Sequence, residues 1–473
     1  MNSKSVPPPR TPSPASSNDA RQPKRLNLDA ALRCARETRA LVVAAGATER
    51  IPSLFREQFP GHRAALVCDT ATEKLVGIQI QALLAKENLT GPAPFVFRDP
   101  ALYAESRFVH ELEHWIQSHD AIPVAVGSGT INDLVKLAAH RCGRPYLCAA
   151  TAASMDGYTA FGASITHEGA KQTFHCPAPR AVVADIAVMK DAPPQMSASG
   201  YADLLAKVTA GADWLLADAL GVEALDATAW QLVQGGLRDA LHDPAGVRAG
   251  DAAAITALTE GLMLGGFAMQ WHKSSRPASG AEHQFSHLWD MEHHVHDGEA
   301  PSHGFKVGLA TLAVTSLYEE LLQLPLDQLD VAAISASWPD AREVEISVRS
   351  EFARDDFVMT AVDETLHKHC TRDELSTQLS RLRARWPVLR EQLRQQLIPF
   401  GELRQRLRAA GAPTQPEEIG LTRSRLRQSF RRAYYIRRRF TVLDLAVRTR
   451  CLEGCLDRLF DRGAWSALPD TQP

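Results

Sequence analysis

Short apolar runs alternate with segments of helical spacing through the first two hundred residues. Ala40 to Ala45, Ala64 to Asp69, Phe95 to Phe97, Ile122 to Val126, Pro145 to Ala150, Ala163 to His167 and Ala181 to Met189 predict strands. Leu28, Ala31 and Leu32, the run ending at Ala85, Arg107 to Ser118, and Ile131, Leu134, Val135, Leu137 and Ala138 predict intervening helices. Strands alternating with helices of this length imply a doubly wound parallel sheet. From Ser199 the pattern becomes helical almost without interruption, which predicts a boundary near residue 195, with an α/β part over 27–195 and an all-helical part over 196–473. Residues 1–26 carry six prolines and five serines with almost no large apolar side chain, so they are predicted to be disordered.

Length and charge narrow the class. A chain of 473 residues exceeds one compact core, so two domains are expected. A net charge of −3 argues against a nucleic-acid or membrane-surface protein taken whole. The eight cysteines show no disulfide spacing and predict free thiols in a reducing compartment. The N-terminus has no apolar leader core, and the most apolar stretch, Ala252 to Trp271, contains Glu260, which predicts a buried helix. A soluble, cytoplasmic protein is expected.

The strand at Ile122 ends in Gly127-Ser128-Gly129-Thr130 and a helix follows. Glycines there let a ligand approach the backbone, and a helix start offers free N–H groups and a positive dipole end for a pyrophosphate. GSGT is not a full dinucleotide fingerprint, so a bare turn is the competing reading. The next strand also ends in small and hydroxyl residues, Thr151 to Gly157, where ligands sit in open α/β sheets. Asp69 closes an earlier strand. It either holds the adenosine ribose, favouring NAD over NADP, or caps the following helix.

Histidines gather later in the chain. His283 and His287 stand at i and i+4, and His303 opens another helical run. With Asp203, expected close to the start of a helix at Ser199, they offer a carboxylate and imidazoles from three helices, the donor set of a catalytic divalent metal. Surface histidines that bind nothing are the alternative, since Met291 to His296 is also histidine-rich. No HExxH glutamate follows His283, which excludes the zinc-protease pattern.

Taken in order, GSGTINDLVKLAA, TAASMDGYTA, PRAVVADIAVMKDAP, GYADLLAKVTAGADW, SSRPASGAEHQFSH, SHGFKVG and Arg437 to Asp444 resemble the glycerol-1-phosphate dehydrogenases. The likeness is to their bacterial branch, within the iron-containing alcohol dehydrogenase and dehydroquinate synthase-like superfamily, and spans roughly residues 27–450. It implies a Rossmann-like dinucleotide domain, an all-α metal-binding domain and a site in the cleft between them. Carried over residue by residue, it implies that Gly127, Ser128, Gly129, Thr130, Asp133, Thr151 and Ser154 hold NAD or NADP, with Asp69 on the ribose. Asp203, His283 and His303 would bind the metal, zinc being usual and nickel or iron known among relatives. Asp156, Lys171 and His287 would serve the substrate. The extra N-terminal tail, Ala202, His140 to Arg144 and the segment around Asp297 depart from the family pattern.

The implied reaction is metal-assisted hydride transfer to the C2 carbonyl of dihydroxyacetone phosphate, with His287 as a proton donor. Lys171, Arg276 and Lys306 are candidates for the substrate phosphate, with surface solvation as the alternative for each. A homodimer or larger homo-oligomer is expected, with no nucleic-acid or membrane partner. Leu421 to Arg450 holds ten arginines against one acid, Asp444, and reads as a solvated face or subunit contact rather than a nucleic-acid patch. Competing functions are a glycerol or polyol dehydrogenase, a dehydroquinate synthase-like cyclase, and a scaffold that keeps the fold without catalysis.

Overall fold

The computed structural model describes residues 27–466, with 168–169 and the side chains of 170 and 171 excepted; the Pro/Ser-rich tail lies outside the described residues. Eight strands are β1 (Ala40–Ala44), β2 (Ala64–Asp69), β3 (Phe95–Phe97), β4 (Ile122–Gly127), β5 (Leu147–Ala150), β6 (Ala163–His167), β7 (Ala170–Phe174) and β8 (Ala181–Asp185). Six form one sheet in the order β1-β8-β5-β4-β2-β3, every neighbour parallel. Both faces are covered, which is why the strands read as continuous apolar runs. Val124 and Val126 share a core with Phe55, Ile80 and Leu84, while the intervening Ala125 joins Leu112 and Leu134 on the other face.

The chain runs outward from β2 to β3 and then back through β4 to β5 and β8. The order therefore reverses between β2 and β4, and a crevice opens at their carboxyl ends, which carry Asp69 and Gly127. Helix α1 (Gly129–Arg141) leaves directly from that crevice.

β6 and β7 form an antiparallel hairpin apart from the sheet. β7 was not expected, because Ala-Lys-Gln-Thr-Phe lacks an apolar run. The predicted strand over Ala181 to Met189 is shorter: Asp185 accepts from the Ala187 amide and starts a helical turn at Ile186.

The rest is helical. α2 (Pro194–Leu205), α3 (Lys207–Leu220), α4 (Ala252–His272), α5 (Ala281–Met291), α6 (His303–Leu321), α7 (Arg372–Gln396) and α8 (Arg423–Tyr435) are its main members. α2 begins five residues before Ser199, with Pro194 in its first turn, so Asp203 sits near its end and not its start. α4 is the one described helix long and apolar enough to cross a membrane, and 72% of its most apolar window is buried inside the protein. Ile131 and Met189 share one continuous core with Leu205, Leu262 and Leu312, so the two parts of the chain are packed as one body. All eight cysteines are free, and burial pushes Cys68, Cys148, Cys176 and Cys455 up to about 12.

Candidate active site in the cleft between sheet and helices

After β5 the chain forms a loop, Thr151 to Gly162, laid between the sheet edge and the helices. Lys136, two turns into α1 from the glycines, is buried beneath it and donates to the carbonyls of Gly157, Ala160 and Gly162 at 2.9, 3.1 and 3.0 Å. Three carbonyls around one ammonium compensate its lost hydration and fix the loop. The loop also rests on α2. A Cβ at Gly200 would stand 1.9 Å from the Ala153 carbonyl oxygen, so only glycine allows that contact. The Asp156 amide then donates to Asp203 Oδ2 at 3.1 Å.

α6 reaches the same place by the same means. A Cβ at Gly304 would lie 1.9 Å from the Ser199 carbonyl, and one at Gly308 would lie 2.8 Å from Ala202 Cβ. The small side chain of Ala202 thus faces a helix contact, and the close approach sets His303 beside Asp203. α5 supplies the third member. Asp203, His283 and His303 place one ligand atom each within 4.8 Å of one another, the only such group of three or more acid, imidazole or thiol donors among the described residues. One carboxylate and two imidazoles from rigid helices suit a divalent cation of intermediate softness. The donor set fits a metal.

Its surroundings reinforce that fit. His283 Nδ1 pairs with Glu282 Oε1 at 2.8 Å, leaving Nε2 directed at Asp203, 3.8 Å from Oδ1. Burial alone would raise the Glu282 carboxyl, but bonds from His283, Gly280 and Thr209 outweigh it and hold the group below its ordinary value. Asp203 is fully buried. Lys207 and the two histidines overcome the desolvation cost and bring it down to about 2. Lys207 Nζ lies 2.7 Å from Asp203 and 2.8 Å from Asp156. Asp156 is raised, because burial and the Asp203 charge exceed what Lys207 returns.

A cleft of about 740 Å³ opens over these groups, lined by Asp133, Asp156, His283, His287 and His303 and also by Arg437, Arg438 and Arg439. The His287 ring stands 6.4 Å from that of His283, one helical turn along α5. Asp133 Oδ2 accepts from the Ser164 amide at 3.2 Å and joins α1 to the hairpin.

The nucleotide candidates lie along the sheet edge beside this cleft. A Cβ at Gly127 would fall 2.6 Å from Ile131, which favours glycine there, and one at Gly129 would fall 3.1 Å from Met155 Cε, a tight contact that the methionine end would have to yield to. Ser128 precedes α1 without a side-chain bond to its amides, which leaves the helix start uncapped by its own chain. The Thr151 amide donates to the Gly127 carbonyl at 3.2 Å, and the Ser154 carbonyl accepts from Ser199 Oγ. Met155 packs against both Gly129 and Gly157, between the turn and the cleft. Asp69 takes the cap geometry: its Oδ1 accepts from the Ala71 and Thr72 amides in a capping box.

Of the expected phosphate partners, Arg276 is committed elsewhere, donating to the Phe440 and Asp213 carbonyls and pairing with Glu223. Lys306 is buried against Asp290 and does not line the cleft. Lys171 is in β7, opposite Thr166; its side chain is outside the described residues. Sequence reasoning missed Glu282, Lys207, Lys136 and Arg437. All four lie inside the quoted motifs, where nothing in their spacing marks them as partners of a site.

Comparison with known proteins agrees with this architecture. The family model for iron-containing alcohol dehydrogenase matches residues 42–193. A glycerol-1-phosphate dehydrogenase (NAD(P)+) of Bacillus subtilis (strain 168) is 30% identical over 393 residues, covering 82% of this chain and 86% of that protein. Its counterpart in Bacillus velezensis is 34% identical over 288 residues, covering 59% and 72%, and one from Pyrococcus furiosus is 37% identical over 196 residues, covering 41% and 55%. Among solved structures, a probable glycerol dehydrogenase from Sinorhizobium meliloti 1021 superposes with a TM-score of 0.55 at 16% identity over 88% of this chain and 96% of that one. Glycerol dehydrogenase from Schizosaccharomyces pombe gives 0.55 at 14% identity over 91% and 92%. Those structures share the fold; the sequence relatives go further, and this chain belongs to the glycerol-1-phosphate dehydrogenase family.

Proposed function

We propose that the protein reduces dihydroxyacetone phosphate to sn-glycerol 1-phosphate, reversibly, with a nicotinamide dinucleotide and one divalent metal, zinc first among the candidates. The observation that carries this reading is the convergence of Asp156, Asp203, His283, His287 and His303 on one cleft beside the carboxyl edge of the sheet. Residues 27–195 would carry the nucleotide, and residues 196–473 the metal and substrate. When bound, the cation supplies Lewis acidity at the ketone and the nicotinamide supplies the hydride.

The chain's own residues do the rest. Asp203, His283 and His303 hold the cation. The Gly127 to Thr130 turn offers its amides and the α1 dipole to the pyrophosphate, Asp133, Thr151 and Ser154 flank the dinucleotide, and the remaining face of Asp69 is available to the ribose. Asp156, anchored by Lys207, accepts from the substrate hydroxyls. His287 gives a proton to the C2 oxygen as the product forms, and Lys171 stands with the substrate. The loop pinned by Lys136 keeps the reacting groups in place.

The test is NADH and NADPH oxidation with dihydroxyacetone phosphate, dihydroxyacetone and other carbonyl substrates, together with elemental analysis of the purified protein. Asp203→Ala and His283→Ala should each abolish metal content and turnover. Full activity in either variant overturns the ligand assignment, and a protein that is metal-free and indifferent to the nucleotides overturns the function.

A further inference from the structure

Part of the cleft wall is built from cations whose number exceeds their partners. Arg276, Arg437, Arg438 and Arg439 line it, and the acids paired with them are Glu223, Glu364 and Asp363, so four guanidiniums meet three carboxylates. Each acid is engaged. Glu223 stands 3.0 Å from Arg276, and Glu364 accepts from the Arg438 amide, Nε and Nη2. Arg439 is secured by the Ser279 carbonyl and Ser275 Oγ at 2.7 and 2.9 Å. Burial first, and then the neighbouring Arg276 charge, push Arg439 down to about 9.

Arg437 differs from its neighbours. It is half-buried, it lines the cleft, and no hydrogen bond or ion pair engages its guanidinium among the described residues. Burial and then Arg438 disfavour its charge more than Glu364 supports it. Arginine does not escape this by losing its proton, so an anion from solution is what such a site lacks. The helix start nearby does not supply an alternative, since the Gly280 and Ala281 amides at the head of α5 already donate to Glu282 and Asp213.

We propose that Arg437, backed by Arg439, is the residue that binds the substrate phosphate and so selects the phosphorylated ketone over the unphosphorylated one. A planar fork matches two phosphate oxygens, and a partly desolvated one is stronger than a surface lysine. This rests on the dehydrogenase reading above, and it replaces Arg276 and Lys306 as the candidate cations.

Arg437→Gln and Arg437→Lys, each with metal and NADH present, test it. The expected result is a KM for dihydroxyacetone phosphate raised roughly 10–100-fold in the glutamine variant, the usual loss for a charge-assisted pair, and partly recovered in the lysine variant. The preference for dihydroxyacetone phosphate over dihydroxyacetone should fall by the same factor, which a general loss of packing would not produce. Calorimetric titration of inorganic phosphate into the NADH-loaded protein gives a readout independent of turnover. Wild-type turnover of the phosphorylated ketone with an unchanged KM in Arg437→Gln overturns the assignment and leaves the dehydrogenase reading standing. Absence of that turnover in the wild type removes the dehydrogenase reading; loss of phosphate binding in Arg437→Gln would then still uphold an anion site, and unchanged binding would end it.

Discussion

Glu282 precedes a proposed metal ligand and orients it. Its Oε1 accepts from His283 Nδ1 and also from the Gly280 amide, so the imidazole keeps the tautomer that presents Nε2 to the cleft. Glu282→Gln should weaken metal binding about 10–100-fold, measured by competition with a chelator, with turnover recovered at excess metal. Equal affinity in the variant would show that the ring is held by packing alone. The cluster of Asp203, His283 and His303 was legible as a candidate, because several ordered motifs placed one acid and two imidazoles in register. Glu282 was not. Adjacent helical residues do not normally face each other, yet Glu282, in the first turn of α5, reaches back to the Gly280 amide and across to His283 Nδ1. Lys207 was hidden for a related reason: at i+4 from Asp203 it reads as an ordinary helix pair, while Asp156, its other partner, comes from a loop fifty residues away.

Among elements, the glycine turn and the end of β8 each hold the sheet edge in shape. Gly127→Ala puts a methyl group against Ile131 and should cost about 1–3 kcal/mol of stability by overpacking, with weakened NADH affinity in a fluorescence titration. Asp185 binds a separate corner, with Oδ1 accepting from the Gly46 and Ala187 amides and Oδ2 from Thr48. Burial opposes its charge, but these bonds prevail and hold it below its ordinary 3.8. A depressed folded value stabilises the protein fully above that ordinary value and loses its effect as pH falls through the folded one. The Tm gap between wild type and Asp185→Asn should therefore be full near neutrality and close in acid below about pH 4; a gap independent of pH would place the effect elsewhere. Most strands of the parallel sheet were legible because burial on both faces makes them uniformly apolar. β7 was not, since a hairpin outside the core has no such pattern, and α2 was expected from Ser199 but starts five residues earlier, with Pro194 in its first turn.

At the scale of the molecule, the cleft draws walls from both parts of the chain, so whatever bridges it should stabilise both. Removal of metal by a chelator should lower Tm, and adding zinc and NADH back should raise it, each ligand adding about 2.7 kcal/mol of stability at a hundred times its Kd. A Tm indifferent to both would contradict binding to the folded state. The basic C-terminal segment gains its meaning only at this scale. Arg425 pairs with Glu292, Arg427 with Asp457, Arg431 with Glu453 and Arg432 with Asp355, acids far away along the chain or outside the segment. Local composition showed the excess of arginine and could not show its distant partners. The unpaired thiols offer a last consequence. Cys68 and Cys148 are enclosed by the sheet and Cys455 by the helices, and an alkylating reagent attacks only an exposed thiolate. Their labelling rates by mass spectrometry thus serve as internal clocks for opening. One shared core should make the three run together in mild denaturant, and a cysteine that labels well ahead of the others would identify the part of the chain that comes loose first.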